Sequence, residues 1–490
     1  MAPLARSPGT RRVSAPRALS RRECLRSVLP LFLWPRHSWA APRKPNILFV
    51  MIDTLRADHV GCYGYGKPTT PHLDRLAEEG VRFANVWTAS PWTMPSLMTM
   101  FTSLHPSVHG ATSPQRRASL KVRTLAERLK DIGYRRTAGI VANPMVNSRY
   151  GFGQGFDLYD DYTIFFAHEL NLFDLDGADR RKSIIDAVTS ETVSQMAIEW
   201  LGKEGSHDPW FLFLLYFDPH NNYVPPPPWD RKFDPHPDAE SRRHPPDFHS
   251  LPAKGAAEES REHLMALYDG EIGHTDDQIG RLLTHLDGLG LRGNTLVAVV
   301  SDHGEEFLDH GGTLHGRTLY NELTHGMLIL RHPGTLPTGK VTHAPICHLD
   351  LTPTLLACMG EKPDPECQGV SRLQEILGAE PRRASAEGSP FFLEAATKAS
   401  LRAVVVGRHK LILDTESAKE ELYDLDTDPR EKTDIAGEQP GISAGLRGIL
   451  REHVARCAKA AGRYEATGEA LRPQLTRKDI DALRALGYLQ

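Results

Sequence analysis

The stretch Asn46-Ile47-Leu48-Phe49-Val50-Met51-Ile52 is a short, almost continuous apolar run that ends in Asp53. A second run, Leu296–Ser301, leads into Asp302 and His303. Runs without polar alternation indicate strands buried on both faces, as in a parallel-rich sheet covered by helices. Because ligands of open α/β sheets collect at the carboxyl ends of the strands, we expect Asp53, Asp302 and His303 to converge there.

Further apolar runs alternate with helical patterns, which predicts an α/β fold with a large, mostly parallel central sheet flanked by helices. The candidate strands are Ile47–Ile52, Thr137–Ala142, Trp210–Phe217, Thr295–Ser301 and Met327–Arg331. The candidate helices are Pro71–Glu79, Thr124–Leu129, Ile184–Leu201 and the stretch from Arg261 to Leu289.

Beyond about residue 385 the pattern changes to short apolar runs, which predict strands at Phe391–Ala395, Leu401–Val406 and Lys410–Leu413. We therefore expect a leader at residues 1–40, a main domain at 41–385, a small sheet subdomain at 386–435 and a helical tail at 436–490. A segment rich in Pro, Asp, Arg and His, between Asn222 and Pro252, is expected to run over the surface beside the site.

Length and composition are ordinary for a soluble enzyme. The chain has 490 residues, of which 40% are hydrophobic and 24% charged, enough for one large α/β domain and a smaller one. No apolar run approaches the roughly 18–20 residues needed for a membrane span. No basic, aromatic-laced patch stands out, so we expect no nucleic-acid partner. Cys358 and Cys367 could pair in an oxidising compartment, with buried free thiols as the alternative.

The first 40 residues carry eight Arg and one acidic residue. Ser20–Leu25 resembles a twin-arginine export signal, Val28–Trp34 is a weak apolar segment, and Ser38–Ala40 offers a small-residue cleavage site. The order of these features predicts a periplasmic or secreted protein, and cleavage after Ala40 would change the net charge from −4 to −11. The alternative is an Arg-rich extension without function on a cytoplasmic protein.

Thr93 stands in the stretch Ala89-Ser90-Pro91-Trp92-Thr93-Met94-Pro95-Ser96-Leu97, at the predicted start of a helix. Pro95 supports that start, because Pro is favoured in a first helical turn. Thr93 can cap the helix N-terminus. Its hydroxyl can also act as a nucleophile that faces a metal ion, with the helix N–H groups holding an anion such as a phosphoryl group. The two roles are compatible.

Motifs spread from about residue 45 to residue 435 resemble those of the sulfatases in the alkaline phosphatase superfamily. They lie at Pro45–Asp53, Arg56–His59, Gly64–Gly66, Pro71–Asp74, Gly80–Phe83, Phe217–His220, Tyr268–Ile272, Ser301–Glu305, Leu349–Thr354 and Glu421–Leu425. The resemblance implies a sulfatase-like catalytic domain and a smaller C-terminal antiparallel sheet. It also implies one divalent metal ion, held by Asp53, Asp302 and His303 with Thr93 beside it.

The position of the nucleophile departs from the family pattern. Sulfatases of this family carry Cys or Ser followed by x-Pro-x-Arg, and the first residue is converted to formylglycine. Here the first position is Thr93 and the Arg position is Leu97. Thr cannot yield formylglycine, so we expect none. Thr occupies this position in phosphodiesterase and phosphotransferase relatives within the superfamily, which favours Thr93 as a nucleophile in its own right.

The resemblance also implies residues that contact the substrate. His220 matches a substrate-binding His of the family, and His315 lies near where family sulfatases have a Lys. Either imidazole could protonate a leaving oxygen, because imidazole titrates near neutrality. Where the family has a further Lys/His cluster, Asn143 is left as the polar contact. Additional candidates for substrate contacts are Ser96, His310 and Arg317.

Mixed Asp and His ligation suits Mn²⁺, Zn²⁺ or Ca²⁺. Family sulfatases usually present a second acid directly after the first, where this chain has Thr54. The missing carboxylate favours Mn²⁺ or Zn²⁺ over Ca²⁺, which prefers many oxygen ligands. The alternative without a metal is that Asp53 caps the next turn and His303 is a core histidine.

Three functions are compatible with these residues. The first is a metal-dependent hydrolase or transferase in which Thr93 attacks a phosphoester or phosphonate ester of a small molecule, glycan or lipid. The second is a sulfuric ester hydrolase, arylsulfatase-like, that works without formylglycine. The third is a catalytically silent relative that binds sulfated or phosphorylated glycans.

Overall fold

The computed structural model describes residues 44–161, 189–207, 209–237, 258–379, 389–395, 400–464, 472–477 and 480. The predicted leader at residues 1–40, residues 184–188 of one predicted helix, residues 238–252 of the surface segment and residues 481–490 of the tail lie outside these ranges. The domain boundary expected at residue 385 also falls outside them. No helix within the described ranges is long and apolar enough to cross a membrane.

The described strands are β1 (Asn46–Ile52), β2 (Val81–Phe83), β3 (Val86–Trp87), β4 (Arg136–Val141), β5 (Leu158–Asp160), β6 (Trp210–Tyr216), β7 (Thr295–Ser301), β8 (Glu306–Phe307), β9 (Thr313–Leu314), β10 (His325–Gly326), β11 (Leu328–Arg331), β12 (Lys340–Thr342), β13 (Ile346–Cys347), β14 (Phe391–Ala395), β15 (Leu401–Val406), β16 (His409–Asp414) and β17 (Glu420–Asp424). The five predicted core strands correspond to β1, β4, β6, β7 and β11.

The described helices are α1 (Pro71–Glu78), α2 (Thr93–Thr102), α3 (Pro106–His109), α4 (Leu125–Asp131), α5 (Ser190–Glu204), α6 (Trp229–Lys232), α7 (Glu258–Gly288), α8 (Asn321–Thr324), α9 (Leu351–Cys358), α10 (Leu373–Ile376) and α11 (Pro440–Ala461). Short 3-10 helices lie at Ala57–His59, Gly61–Tyr63, Pro144–Val146, Ser148–Tyr150, Arg292–Asn294 and His348–Asp350. The predicted helices at residues 71–79, 124–129 and 261–289 are confirmed as α1, α4 and α7.

An eight-stranded sheet forms the centre of the protein, in the order β12-β2-β11-β7-β1-β6-β4-β5. Its neighbours pair in parallel except at β11, which is antiparallel to both β7 and β2. Every residue of β1, β6 and β7 is buried, which explains their continuous apolar sequences. Helices α1 and α5 pack on α7, whereas α9 and α3 pack on α2. The predicted α/β fold class is confirmed.

The C-terminal region forms a separate four-stranded antiparallel sheet in the order β14-β15-β16-β17. One face packs against Trp87, Ala89 and Leu319 of the main domain. The other face packs against Leu446 and Leu450 of α11. The small sheet and the helix after it agree with the prediction, and β17 extends the sheet beyond the strands expected. Cys358 and Cys367 are both free thiols.

Candidate active site

Two buried carboxylates meet at the carboxyl ends of adjacent strands. Ile52 at the end of β1 pairs with Ser301 at the end of β7, so Asp53 and Asp302 follow at the same edge of the sheet. Both side chains are fully buried. Oδ1 of Asp302 accepts hydrogen bonds from the backbone N–H of Thr54 (3.1 Å) and of His303 (2.8 Å). The carboxylate is therefore held rigidly with one oxygen occupied.

His303 completes the group. Its Nδ1 lies 2.8 Å from the carbonyl oxygen of Gly304, so Nδ1 carries the proton and donates. Nε2 therefore presents a lone pair, 3.3 Å from Asp302 Oδ2 and 3.9 Å from Asp53 Oδ1. A backbone carbonyl that fixes the tautomer in this way is typical of metal-binding histidines.

These three side chains fit a divalent cation. Their ligand atoms all lie within 4.8 Å of one another, and Asp302 Oδ2 is buried without a hydrogen-bond partner among the described residues. Burial raises the pKa of Asp302 to about 7. Burial, followed by the neighbouring Asp302, also raises the pKa of Asp53 well above its usual range. Two adjacent buried carboxyl groups resist ionisation, and a cation bound between them stabilises their ionised form.

Thr93 is the first residue of α2, a helix whose residues are all buried. The N-cap position belongs to Trp92, which makes no side-chain cap, so the expectation that Thr93 caps the helix is wrong. Instead, Thr93 Oγ1 lies 3.4 Å from Asp53 Oδ1 and 3.2 Å from His303 Nε2. The hydroxyl thus faces the candidate metal ligands, with the N-terminal end of the helix behind it.

Thr54, directly after Asp53, adopts a left-handed backbone conformation with φ of 52°. Its hydroxyl donates to the carbonyl oxygen of Pro219 (2.8 Å), and its own carbonyl accepts from Tyr268 Oη (2.7 Å). A β-branched residue in this conformation is strained, and such strain persists only where the surroundings fix it. The contacts turn the Thr54 hydroxyl toward Pro219, so it offers no side-chain ligand to the metal site.

Asn143 and Ser96 contact the candidate metal ligands. Asn143 Nδ2 donates to Asp53 Oδ2 at 2.6 Å, and its Oδ1 accepts from the N–H of Met145. Ser96 is fully buried, and its hydroxyl lies 2.8 Å from the carbonyl oxygen of Asp302 and 2.8 Å from His348 Nδ1. Contact of either residue with a substrate stays a prediction.

His315 and His220 lie beside the three ligands. The ring of His315 is 4.5 Å from that of His303 and 5.0 Å from that of His220. His315 Nδ1 lies 3.0 Å from Glu305 Oε1, within hydrogen-bond distance. His220 stacks on Phe217, and its Nδ1 donates to the carbonyl oxygen of Asn221 at 2.8 Å. Burial, followed by the nearby His315, lowers the pKa of His220 to about 3, so His220 is neutral in this environment.

Glu305 is a site residue to which the sequence assigned no role. It is fully buried, and its Oε2 accepts from Tyr223 Oη at 3.0 Å. Its backbone carbonyl accepts from Arg56 Nη1 at 3.0 Å. Burial raises the pKa of Glu305 to about 7, against the opposing effect of His220 and His303. Its position in the Ser301–Glu305 motif was the available signal, but only the fold brings His315 and Tyr223 to its two oxygens.

His310 lies apart from this group. Its Nδ1 contacts Glu322 Oε1 at 2.6 Å, its Nε2 donates to the carbonyl oxygen of Glu431 at 2.9 Å, and its ring stacks on Tyr320. Both ring nitrogens are therefore used where the main domain meets the C-terminal region, and the expected substrate contact is not supported. Arg317, two residues after His315, is exposed.

The α/β fold and the sequence relatives of the chain identify it as an ester hydrolase. The profile of the sulfatase family matches residues 45–361, and that of the N-sulphoglucosamine sulphohydrolase C-terminal region matches residues 309–455. The chain therefore belongs to the sulfatase family of the alkaline phosphatase superfamily. Family members use a divalent metal, and Asp53, Asp302 and His303 form a group of described residues at the strand ends that could hold one.

Similar proteins include both sulfatases and phosphonate hydrolases. The chain is 28% identical to the uncharacterized sulfatase YidJ of Escherichia coli, over 79% of this chain and 82% of that protein. It is 24% identical to an N-acetylglucosamine-6-O-sulfatase of Bacteroides thetaiotaomicron, over 84% and 87%. The solved phosphonate monoester hydrolase of Agrobacterium radiobacter superposes with a TM-score of 0.67 at 20% identity, over 84% and 96%. At that identity the superposition establishes the shared fold alone.

Proposed function

We propose that this chain hydrolyses phosphoesters or phosphonate esters with the Thr93 hydroxyl as the nucleophile. The observation that carries the proposal is the position of Thr93 Oγ1, 3.2 Å from His303 Nε2 and 3.4 Å from Asp53 Oδ1. A hydroxyl fixed there would face the phosphorus of an ester whose oxygen occupies the cation-binding pocket. When bound, the cation would stabilise negative charge on the transferred group and favour the alkoxide form of a nearby hydroxyl.

The reaction has two displacement steps. In the first, Thr93 Oγ1 forms a bond to phosphorus, the bond from phosphorus to the leaving alcohol breaks, and the hydroxyl proton of Thr93 is released to solvent. In the second, water attacks phosphorus, the bond to Thr93 breaks, and the threonine hydroxyl regains a proton. The N–H groups in the first turn of α2 favour an anion during both steps.

We assign the proton transfer to and from the leaving group to His315. Its Nδ1 donates to the Glu305 carboxyl, which stabilises the imidazolium, whereas Nδ1 of His220 has a neutral carbonyl as its partner. His315 gives a proton to the leaving oxygen in the first step and takes one from the attacking water in the second. His220, stacked on Phe217 beside this ring, is proposed to contact the substrate.

The ligand set supports Mn²⁺ or Zn²⁺ as the active-site metal, as proposed from the sequence. Two carboxylates and one imidazole converge, and the Thr54 hydroxyl is directed to Pro219. Ca²⁺ needs six to eight oxygen ligands, which these side chains do not supply without several waters. Export by the leader at residues 1–40 is part of the same proposal, and the N-terminus of the protein recovered from the periplasm tests it.

Hydrolysis of sulfuric esters is the second candidate, because the relatives named above include sulfatases and the family profile spans the catalytic region. Sulfate and phosphate esters are both tetrahedral oxyanions, so the same hydroxyl could attack either centre. A phosphate monoester dianion gains more from the cation and the helix N-terminus than a sulfate monoester does, whereas phosphate diesters and phosphonate monoesters carry the same single negative charge as a sulfate monoester. We rank phosphoester and phosphonate substrates first because sulfatases of this family attack with formylglycine, which Thr93 cannot form.

The test is turnover of a chromogenic panel of phosphate monoester, phosphate diester, phosphonate monoester and sulfate monoester. Thr93→Val keeps the side-chain volume and removes the hydroxyl, and Thr99→Val serves as its matched control because Thr99 is equally buried on α2 but contacts His109. Loss of phospho- or phosphonate-ester turnover in Thr93→Val alone, with metal retained, supports the proposal. Turnover that survives Thr93→Val excludes Thr93 as nucleophile, and a metal-free, inactive wild type favours the silent glycan-binding relative.

A further inference from the structure

A second group of metal-binding side chains meets on the C-terminal helix. His453 and Cys457 lie four residues apart on α11, and so on the same face of the helix. His105 lies directly before α3. The ligand atoms of these three residues all lie within 4.8 Å of one another. Glu394 of β14 is nearby, with Oε1 4.0 Å from His453 Nε2.

The distances suit a tetrahedral zinc site. With Zn–N bonds of about 2.0 Å and Zn–S bonds of about 2.3 Å, a nitrogen and a sulfur ligand lie about 3.5 Å apart. Cys457 Sγ lies 3.3 Å from His453 Nε2 and 3.9 Å from Nδ1, on either side of that value. Oε1 of Glu394 lies slightly farther from His453 Nε2 than two ligands of one zinc ion do. A small adjustment of the Glu394 side chain would bring Oε1 within bonding distance of the ion.

The surrounding contacts hold the ligands and leave donor atoms unused. His105 Nδ1 is buried and has no hydrogen-bond partner among the described residues. The His453 ring stacks on Phe392 at 3.6 Å and meets the His105 ring at 4.3 Å. Ser107 donates to Glu394 Oε1 from its hydroxyl at 2.9 Å and to Oε2 from its N–H at 3.1 Å. Such outer contacts orient metal ligands.

We propose that His105, His453 and Cys457, with Glu394 as the fourth ligand, bind one Zn²⁺ ion that fastens α11 to the main domain. Thiolate and imidazole ligands favour Zn²⁺ over Mg²⁺, Ca²⁺ and Mn²⁺. Four protein ligands leave no open position, which makes the site structural rather than catalytic. Binding displaces the thiol proton of Cys457 to solvent. The resulting thiolate and the Glu394 carboxylate balance the charge of the ion, beside Arg402, which pairs with Glu394 at 3.0 Å.

A cation between these side chains would also give the buried donor atoms a binding partner. Without a cation, the thiol of Cys457 lies beside the His453 imidazole, with Sγ 3.3 Å from Nε2. Such a group gains little beyond a weak sulfur–nitrogen hydrogen bond, whereas three donors on one ion gain the full coordination energy.

The first test is the zinc content of the full-length protein, purified with zinc and measured by elemental mass spectrometry. Cys457→Ala is expected to lose one equivalent of zinc while keeping wild-type ester turnover. Cys358→Ala, which removes a free cysteine outside the cluster, is expected to keep that equivalent of zinc. Asp302→Asn should lose the active-site ion and retain zinc on α11, so failure at one site is distinguishable from failure at the other. Equal zinc content in wild type and Cys457→Ala would overturn the proposal.

A second measurement does not depend on the folding of a variant. The wild-type protein is stripped of metal and reloaded with Co²⁺. The proposal requires a thiolate-to-cobalt charge-transfer absorption in the near ultraviolet, because Cys457 is the sulfur ligand and the candidate active site has none. Asp302→Asn should keep that absorption. Cobalt binding in wild type and Asp302→Asn without the absorption would show that the thiol does not coordinate metal.

Discussion

Replacing Asp302 by Asn is expected to stabilise the metal-free protein at pH 8. Burial raises the pKa of the Asp302 carboxyl from 3.8 to about 7. Because the folded pKa lies above the unfolded value, the folded protein loses stability as the pH rises from about 4 to 7, and the full cost is present at pH 8. A rise of this size corresponds to about 4 kcal/mol, which is an upper bound for the metal-free protein.

The amide can take over the contacts of the carboxylate. Its Oδ1 keeps the N–H groups of Thr54 and His303 at 3.1 and 2.8 Å. Its Nδ2 replaces the unpartnered Oδ2 and can donate to His303 Nε2 at 3.3 Å. An unfolding entropy of about 2.1 cal/mol/K per residue makes 1 kcal/mol worth about 1 °C for a chain of this length. We therefore expect the unfolding midpoint to rise by up to about 4 °C at pH 8, and the rise to vanish near pH 4.

The assay is differential scanning calorimetry of chelator-treated and metal-loaded protein at both pH values. With saturating metal the order should reverse, because Asp302→Asn loses a ligand and with it the stabilisation that binding gives the folded state. Asp350→Asn is the control, because the Asp350 carboxylate pairs with Arg372 at 2.8 Å. This variant should be less stable than the wild type in both the metal-free and the metal-loaded protein. A metal-free Asp302→Asn that unfolds below the metal-free wild type at pH 8 would refute the reasoning.

Three further predictions concern other buried polar groups. Glu305→Gln is expected to lower kcat about 10- to 100-fold with metal content unchanged, because His315 Nδ1 loses its carboxylate partner; full activity would remove Glu305 from the mechanism. Burial lowers the pKa of His109 to about 3, so only the unfolded chain takes up a proton below about pH 6.5. Between pH 8 and pH 5, the free energy of unfolding of the wild type should therefore fall by about 2 kcal/mol more than that of His109→Gln, as measured by urea unfolding. Equal decreases in the two proteins would contradict this. Lys410→Met should destabilise the protein by about 3–5 kcal/mol, because the buried Glu431 carboxylate, 2.8 Å from Lys410 Nζ, is left unpaired. Urea unfolding of the double variant with Glu431→Gln should show most of this stability regained, and no recovery would argue that lost packing is the cause.

The sheet and the three candidate ligands could be predicted because their signals are local. A strand buried on both faces leaves a continuous apolar run, as in β1 and β7. A polar residue directly after such a run must lie at the sheet edge, which is where the structure brings Asp53, Asp302 and His303 together. The apolar runs placed these residues at strand ends, and the resemblance to the sulfatases indicated that the two ends share one metal site.

The remaining site contacts join segments far apart in the chain, so the sequence could not assign them. Tyr268 on α7 donates to the carbonyl of Thr54, more than 200 positions earlier. Asn143 was expected near the site, but the sequence could not show that its side-chain amide donates to the Asp53 carboxylate. The contacts of Glu305 also depend on the fold, because Tyr223 precedes the Ser301–Glu305 motif in the chain and His315 follows it.

The pairing of Ile52 with Ser301 sets the separation of the Asp53 and Asp302 backbones by the spacing between neighbouring strands, about 4.8 Å. Loops do not set it. Tyr223, by contrast, reaches Glu305 from the segment after β6. During evolution such segments can be inserted, shortened or exchanged without moving the cation-binding carboxylates. Among descendants of this fold, the choice of ester should therefore diverge faster than the dependence on a metal.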